Sequence, residues 1–331
     1  MAGKVTWGSM VIPCVVLLGL NALGPSLAQA QFLRIELHQV ASTTLTDQQF
    51  LTGVTEGLPA TLGAELRIPR PGTDRLPAVV LLHGSGGLSG GREARWADEL
   101  NGMGVATLML DAFTGRRIVS TGEDQAQLGR LAMIVDAYRA LELLSKHPRI
   151  DPARVALMGF SRGGQATLYA SLKRFQRMHG PRGVEFAGYL PFYANCGTTF
   201  IDDGDVAARP IHLFHGSADD YVPVAPCRTY VVRLRARGKD VQLTEYSGAR
   251  HVFDNPFLTT PVVLKEAQTT RSCLLEENPV GQIINSRTKQ PFGYEDPCIE
   301  RGPTIAYDPQ AHVEAIKAVK AFLGTTFKLK P

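Results

Sequence analysis

The chain has 331 residues, of which 44% are hydrophobic and 20% charged, and its formal net charge at pH 7 is +4. This composition is ordinary for a globular protein that buries a sizeable core. Because the basic residues are mixed with acidic ones instead of forming a block, the sequence argues against a nucleic acid partner.

The first thirty residues have the pattern of a secretory signal peptide. Lys4 supplies a short positive start, residues 11–24 are almost entirely apolar, and Ala28-Gln29-Ala30 offers the small residues that a signal peptidase needs. We predict a signal peptide at 1–30 and a mature domain at 31–331 that is periplasmic or secreted, without stable membrane insertion. An uncleaved membrane anchor is the alternative, but an apolar run of about 14 residues is short for a bilayer.

Several short apolar runs predict a sheet that helices cover on both faces. Strands that are apolar on both sides are typical of parallel sheets. The runs occupy residues 77–82, 105–110, 155–158 and 210–214. A strand-like segment follows at 241–246, and two further edge strands are expected at 33–39 and 62–68.

Segments with helical periodicity alternate with these strands. Apolar residues recur every three or four positions in 125–146, 162–177, 225–237 and 309–323, and another helix is expected to begin near Arg92. Regular alternation of strand and helix predicts a doubly wound, mostly parallel α/β sheet in a single domain. Residues 259–301 lack this periodicity, so we predict an irregular excursion there.

Four cysteines lie outside the predicted signal peptide: Cys196, Cys227, Cys273 and Cys298. In an oxidising compartment, four cysteines indicate two disulfides, which allow three connectivities. Proximity in sequence favours Cys273–Cys298 and leaves Cys196–Cys227 as the other pair, with four buried free thiols as the alternative. None has the CxxC spacing of a zinc site, so no metal is predicted.

A glycine-flanked serine marks the candidate nucleophile. Gly159-Phe160-Ser161-Arg162-Gly163 follows an apolar strand and precedes a helix, the context in which Gly-x-Ser-x-Gly forms a nucleophile elbow. The glycines leave room for a tight, strained turn, and the following helix directs its N–H groups toward a developing oxyanion. We predict that Ser161 is the nucleophile, with a purely structural strand-to-helix turn as the alternative.

A serine hydroxyl needs a base, and in the α/β-hydrolase fold that carries such elbows the acid and the histidine follow the serine along the chain. Asp219 and His251 come just after predicted strands, where open α/β sheets bind their ligands. We predict that Asp219 orients the imidazole of His251 and that His251 moves the proton. Asp220 is the alternative acid, although we expect it to cap the following turn.

The other histidines have structural interpretations. His215 ends a strand beside the acid loop and is expected to be buried and hydrogen-bonded, and His212 lies within an apolar strand. Four more belong to no constellation that the sequence identifies: His38, His147, His179 and His312.

A glycine-rich turn, His83-Gly84-Ser85-Gly86-Gly87, follows the first strong strand. Its backbone can face a substrate carbonyl oxygen, so we predict an oxyanion hole from the N–H groups of Arg162 and Ser85, with Gly86 beside them. A phosphate-binding loop is disfavoured because neither Gly-Lys-Ser/Thr nor Gly-x-Gly-x-x-Gly is present.

Candidates for the substrate pocket near the strand ends are Asp111, Phe113, Tyr193 and Tyr221. Arg162, next to the nucleophile, either attracts an anionic substrate or forms a surface salt bridge.

Together these segments resemble the dienelactone hydrolase family. The resemblance rests on the Ser161 elbow, the acid loop at 216–223, the histidine segment at 246–253 and the His83 loop, and it covers about residues 63–323. Cys227 and Asp296-Pro297-Cys298 look like an exported branch of this family. The name-giving enzymes carry a cysteine nucleophile, whereas this chain has Ser161.

The resemblance implies one α/β-hydrolase domain that hydrolyses a small-molecule carboxylic ester or lactone without metal or organic cofactor. With a serine nucleophile, the reaction proceeds through an acyl-enzyme. The nearest alternative is cleavage of a peptide or thioester, or acyl transfer, on the same scaffold. A non-catalytic binding protein or a structural protein is a further alternative.

Overall fold

The structure is a computed structural model that describes residues 34–88 and 91–329, together with Gly3. The predicted signal peptide and its cleavage site lie outside the described residues.

A central sheet of eight strands organises the molecule. In chain order the strands up to residue 246 are β1 (Arg34–Thr44), β2 (Leu58–Ile68), β3 (Leu76–Leu82), β4 (Ala106–Asp111), β5 (Ile150–Phe160), β6 (Tyr189–Phe192), β7 (Thr198–Thr199), β8 (Ile211–Gly216) and β9 (Val241–Tyr246). All except β7 belong to the central sheet, in the order β1-β2-β4-β3-β5-β6-β8-β9. β2 pairs antiparallel with β1 and β4, and the other neighbours are parallel.

Helices cover both faces of this sheet. They are α1 (Asp47–Leu51), α2 (Arg92–Asn101), α3 (Ala132–Lys146), α4 (Arg162–Tyr169), α5 (Lys173–His179), α6 (Ala225–Ala236) and α7 (Pro309–Phe327). Side chains of α3, α4 and α6 pack in one hydrophobic cluster, and those of α2 and α7 pack in another.

Strand β3 shows why the apolar runs form a doubly covered sheet. All its residues are buried, and alternate side chains enter opposite clusters: Val80 and Leu82 lie in the first, Val79 and Leu81 in the second. A strand places successive side chains on opposite faces, so an unbroken apolar run needs a hydrophobic layer on each side. The predicted fold class, a doubly wound α/β sheet in a single domain, is confirmed.

Three elements differ from the sequence prediction. The helix expected from 125 begins at Ala132, because residues 125–127 form a short 3₁₀ turn that ends at the extended Leu128. The helix expected over 162–177 is interrupted before α5, where Leu172 is extended and bridges to Val206. Strand β6 was not predicted, since it is only 4 residues long and one of them is Pro191.

The segment between β9 and α7 consists of short paired strands. They are β10 (Val262–Val263), β11 (Gln268–Thr269), β12 (Leu275–Glu277), β13 (Ile283–Asn285), β14 (Glu300–Arg301) and β15 (Thr304–Ile305). β10 pairs with β15, β11 with β14, and β12 with β13 and β7. We call residues 262–305 the cap segment, because it lies against the carboxyl ends of the central strands, as the site below shows.

The length and apolar character of the helices decide whether any of them could cross a membrane. In residues 34–88 and 91–329, none of the helices combines the length and the apolar character that crossing a bilayer requires.

Candidate active site

Ser161 stands at a sharp turn between β5 and α4. Its φ of 55° and ψ of −112° place it outside the ordinary regions for a residue with a side chain. The turn is so tight that a Cβ on Gly159 would lie 2.3 Å from the Gly163 carbonyl oxygen, and one on Gly163 would lie 2.5 Å from the His83 carbonyl oxygen. The flanking glycines are therefore required by backbone contact, and the turn holds the hydroxyl above the sheet.

The structure brings Ser161, His251 and Asp219 into one hydrogen-bonded row. The Nε2 atom of His251 lies 2.9 Å from Ser161 Oγ, and its Nδ1 atom lies 2.7 Å from Asp219 Oδ2. The side chains of His251 and Asp219 are almost wholly buried. His251 lies 90 residues from Ser161 and 32 residues from Asp219 in sequence. The three residues meet because β5, β8 and β9 are parallel and end at the same edge of the sheet. Their chemical roles stay predictions.

Electrostatics fix the protonation of this row. Burial opposes ionisation of Asp219, but the charge and hydrogen bonds of His251 and His215 hold the pKa of that carboxyl well below its usual value. Asp219 Oδ1 also accepts the backbone N–H groups of Tyr221 and Val222. An ionised carboxylate can only accept, so the proton of the His251 ring sits on Nδ1 and Nε2 is free to accept from Ser161.

The structure corrects the expected role of Asp220. The sequence predicts that Asp220 caps the turn, but Asp219 itself accepts the N–H groups of that turn. Asp220 instead accepts the backbone N–H of Thr304 at 3.0 Å and lies 3.5 Å from Arg250. Asp220 therefore fastens the cap segment to the acid loop, and it does not contact His251.

The predicted oxyanion loop passes directly beside the nucleophile. A Cβ on Gly84 would lie 3.3 Å from Ser161 Cβ, so the backbone of Gly84 packs against the serine. The Gly87 N–H donates to the Gly84 carbonyl, which makes residues 84–87 a turn that presents Ser85 and Gly86 toward the site. His83 Nδ1 lies 2.8 Å from the Gly84 carbonyl, and its Nε2 accepts the Ala112 N–H.

Two cavities meet at Ser161, and Ser85 and Tyr221 border both. The smaller, of about 50 Å³, has a polar wall that includes Arg130, Arg162 and Gln125. The larger, of about 590 Å³, is bordered by the glycine-rich loop, Arg92, His251 and the cap segment. The cap segment contributes to both walls, with residues 268–270 and Tyr294 on the smaller cavity and residues 263–267 and Ile305 on the larger.

Among the four predicted pocket residues, Tyr221 alone borders the two cavities at Ser161. Phe113 and Tyr193 are fully buried, and Asp111 accepts the backbone N–H groups of Phe113 and Thr114 in its own turn. The prediction failed for these three because proximity to a strand end does not determine which way a side chain points.

The prediction that Arg162 forms a surface salt bridge is wrong. Its side chain is 8% exposed and donates to the backbone carbonyls of Leu128, Gly129 and Gln125 and to the Gln125 side chain. Burial lowers the pKa of this guanidinium.

Both disulfides support the loops around the site. Cys196 bonds to Cys227, with 5.0 Å between their Cα atoms, and so joins the loop after β6 to the start of α6. Cys273 bonds to Cys298, also with 5.0 Å between Cα atoms, and closes the cap segment on itself. These are the pairs that proximity in sequence favoured.

The structure also brings together His38 and His147, which no sequence motif connects. The Nε2 atoms of His38 and His147 lie 3.0 and 3.1 Å from the same oxygen of Glu36. Arg34 contacts the other oxygen at 2.8 Å, and the His147 Nδ1 atom accepts the Arg149 N–H. This last bond places the ring proton of His147 on Nε2, facing Glu36, as in a hydrogen-bonded ion cluster.

A buried polar group behind His251 has no signal in the sequence. Its members come from α2, from the loop after β6 and from the turn after His251, and they are Arg92, Glu93, Trp96, Tyr193 and Asp254. Residues this far apart in sequence carry no shared motif, so only the fold reveals that they meet.

Comparisons with known proteins agree with this architecture. The family model of the dienelactone hydrolase family matches residues 64–273. A dienelactone hydrolase-like promiscuous phosphotriesterase from metagenomic libraries is 17% identical, with a TM-score of 0.56, over 89% of this chain and 98% of its own. Esterase 2 of Thermogutta terrifontis, phosphorylated by paraoxon, is 15% identical, with a TM-score of 0.57, over 91% of this chain and 97% of its own.

Proposed function

The chain belongs to the dienelactone hydrolase family and is a hydrolase that acts on ester bonds, and we propose that it does so through an acyl-enzyme formed on Ser161. The observation that carries this proposal is the unbroken row from Asp219 through His251 to the Ser161 hydroxyl. The resemblance noted from the sequence is confirmed at the level of the family.

The first step is attack on the ester carbonyl. Ser161 Oγ bonds to the carbonyl carbon while its proton passes to His251 Nε2, and Asp219 stabilises the resulting imidazolium. The carbonyl oxygen becomes an oxyanion, which accepts the N–H groups of Arg162 and Ser85. His251 then protonates the leaving alcohol as the bond from carbon to alcohol oxygen breaks. In the second step a water gives its proton to His251 while its oxygen bonds to the acyl carbon. The bond from that carbon to Ser161 Oγ then breaks, His251 returns the proton to Oγ, and the carboxylic acid leaves.

The two cavities suit the two halves of a small ester. Since they meet at Ser161 and differ about tenfold in volume, we infer that one half of the substrate is small and polar and the other larger. Nitrophenyl esters of increasing acyl length test this. Turnover should change steeply with length, and a flat profile would contradict the assignment.

The nucleophile is tested by Ser161→Ala with nitrophenyl acetate as substrate. Turnover should fall to background while the circular dichroism spectrum stays unchanged, and Ser145→Ala on α3 serves as the matched serine control. Retained turnover in Ser161→Ala would refute the mechanism.

The oxyanion donor is tested by Ser85→Pro, which removes the backbone N–H. Ser85 is the second residue of the turn closed by Gly84 and Gly87, the position that proline favours in common β-turns. We expect kcat to fall about 100-fold or more, as when one oxyanion donor is lost. Ser85→Ala keeps the N–H and should retain activity. Equal activity in both variants would remove Ser85 from the proposed hole.

We propose that the protein is exported to the periplasm or secreted. Two disulfides are compatible with an oxidising compartment, and the pattern at 1–30 is that of a cleavable signal. The intact mass of protein from the extracytoplasmic fraction should correspond to a chain that begins at Gln31. A mass that includes Met1 would contradict the proposed cleavage.

A further inference from the structure

The turn that carries His251 is tied to the protein interior through Asp254. The Asp254 side chain is 1% exposed, and its two oxygens accept separate donors. Trp96 Nε1 donates to Oδ2 at 2.7 Å, and the Tyr193 hydroxyl donates to Oδ1 at 2.8 Å. Asp254 follows His251 by three residues, so these bonds fix the far end of the turn that begins at the imidazole.

Tyr193 extends this connection to the helix after the oxyanion loop. Arg92 Nη1 donates to the Tyr193 hydroxyl at 3.0 Å, and Arg92 forms an ion pair with Glu93 while its guanidinium covers the Phe160 ring at 4.3 Å. The Tyr193 ring itself packs against the imidazole of His251, with 4.6 Å between ring centroids. One buried chain of contacts therefore links α2, the loop after β6 and the histidine turn.

Backbone strain is concentrated at the points that this chain of contacts holds. Seven non-glycine residues in the described part of the protein have positive φ, and three of them surround the imidazole: Ser161 at 55°, Tyr193 at 34° and Val252 at 64°. A β-branched residue such as Val252 is a genuine outlier in this region. Such a conformation persists only where the surroundings enforce it, and it clusters at functional sites.

Protonation makes the direction of the hydrogen bonds definite. Burial raises the pKa of Tyr193 well above its ordinary value, so its hydroxyl keeps its proton and donates it to Asp254. Burial lowers the pKa of Arg92, but the negative charges of Glu93 and Asp254 outweigh burial and raise it. Arg92 is therefore always a donor to the Tyr193 oxygen.

We propose that Tyr193 and Asp254 are positioning residues that hold the turn after His251 so that Nε2 stays within hydrogen-bond distance of Ser161. The proposal rests on the proposed function, because a positioned base matters only if Ser161 is the nucleophile. Loss of the Tyr193 hydroxyl leaves the buried Asp254 carboxylate with one donor fewer, so the strained turn loses one of the two side-chain hydrogen bonds that Asp254 makes.

The test is Tyr193→Phe, which keeps the ring against His251 and removes the hydroxyl. We expect kcat for nitrophenyl acetate to fall about 10- to 100-fold with KM unchanged, because small displacements of a reacting group carry penalties of this size. Asp254→Asn should act in the same direction. The double variant should be no slower than the slower single variant, because both changes break the same connection.

Tyr138→Phe is the matched control. Tyr138 is equally buried, and its hydroxyl donates to the Ala170 carbonyl at 2.8 Å on the opposite face of the sheet. The Tyr138→Phe variant should have a lower melting temperature, as Tyr193→Phe should, but its kcat should be unchanged. If Tyr193→Phe also keeps full kcat and loses only melting temperature, the positioning role is refuted. An inactive wild-type protein would instead refute the proposed function itself.

Discussion

Two histidine–carboxylate clusters occur in the part of the chain that the structure describes, and their surroundings differ. The Ser161 cluster consists of Ser161, His251 and Asp219, and the side chains of its His251 and Asp219 are 1% and 0% exposed. The Glu36 cluster consists of Glu36, His38 and His147, whose side chains are 13%, 25% and 10% exposed. Hydrogen-bond distances are similar in both, so distance alone does not distinguish a reactive site from a structural one.

The direction of the hydrogen bonds separates the two clusters. In the Ser161 cluster the carboxylate engages Nδ1 and leaves Nε2 for a hydroxyl. In the Glu36 cluster both Nε2 atoms face the carboxylate, so neither is available as a base toward a nucleophile. A histidine–carboxylate pair therefore supports catalysis only when the carboxylate binds one ring nitrogen and a nucleophile meets the other.

The largest expected effect comes from removing one imidazole from each cluster. His251→Ala should lower kcat for nitrophenyl acetate by about 10⁵-fold or more, since no base remains for the serine. His147→Ala should leave kcat unchanged. Steady-state kinetics on both purified variants check this, and a comparable loss in His147→Ala would show that the two clusters are not functionally distinct.

The next effect concerns the two adjacent aspartates. Asp219→Asn should lower kcat by about 10⁴-fold, because an amide stabilises the wrong tautomer of His251 and cannot balance its positive charge. Asp220→Asn, an isosteric change one residue away, should keep kcat because Asp220 contacts the cap segment and Arg250. A reversed pattern of kcat values would transfer the acid role to Asp220.

The smallest effect is a pH-dependent change in stability at the Glu36 cluster. Burial opposes ionisation of Glu36, but hydrogen bonds and charge from His147, His38 and Arg34 lower the pKa of its carboxyl below the ordinary value of 4.5. A carboxyl whose pKa is lower in the folded than in the unfolded protein stabilises the fold at any pH above its unfolded-state pKa. This stabilisation is lost as pH falls through its folded-state pKa.

Glu36→Gln should therefore lower the free energy of unfolding at pH 7 by about 1 kcal/mol or less, as for partly exposed ion pairs. The difference from wild type should shrink in urea titrations as pH falls below the ordinary pKa of a glutamate, and kcat should not change. A difference that persists undiminished at a pH where the carboxyl of Glu36 is fully protonated would contradict a lowered pKa for that carboxyl.

The sequence predicted the fold and the members of the Ser161 cluster because both leave local patterns. Apolar runs identify buried strands, and the spacing of Gly159, Ser161 and Gly163 identifies a tight turn after one of them. Because parallel strands end at one edge, loops far apart in sequence could be expected to meet there.

Features that depend on side-chain direction or on long-range contact were not predictable in this way. His147 lies 111 residues from Glu36, and Tyr193 lies 61 residues from Asp254, without any shared motif. The side chain of Arg162 turns inward to backbone carbonyls, which its position beside the nucleophile does not indicate. Asp219 both caps its turn and binds His251, whereas the sequence predicted the capping role for Asp220.

The most direct test of the central claim is covalent labelling with a fluorophosphonate, followed by proteolysis and mass spectrometry. We predict a single adduct per chain, on the peptide that contains Ser161, formed rapidly in the wild-type protein and at least about 100-fold more slowly in His251→Ala, since only a serine activated by its base reacts quickly. An adduct on a different residue, or ester turnover that continues without labelling of Ser161, would contradict the account.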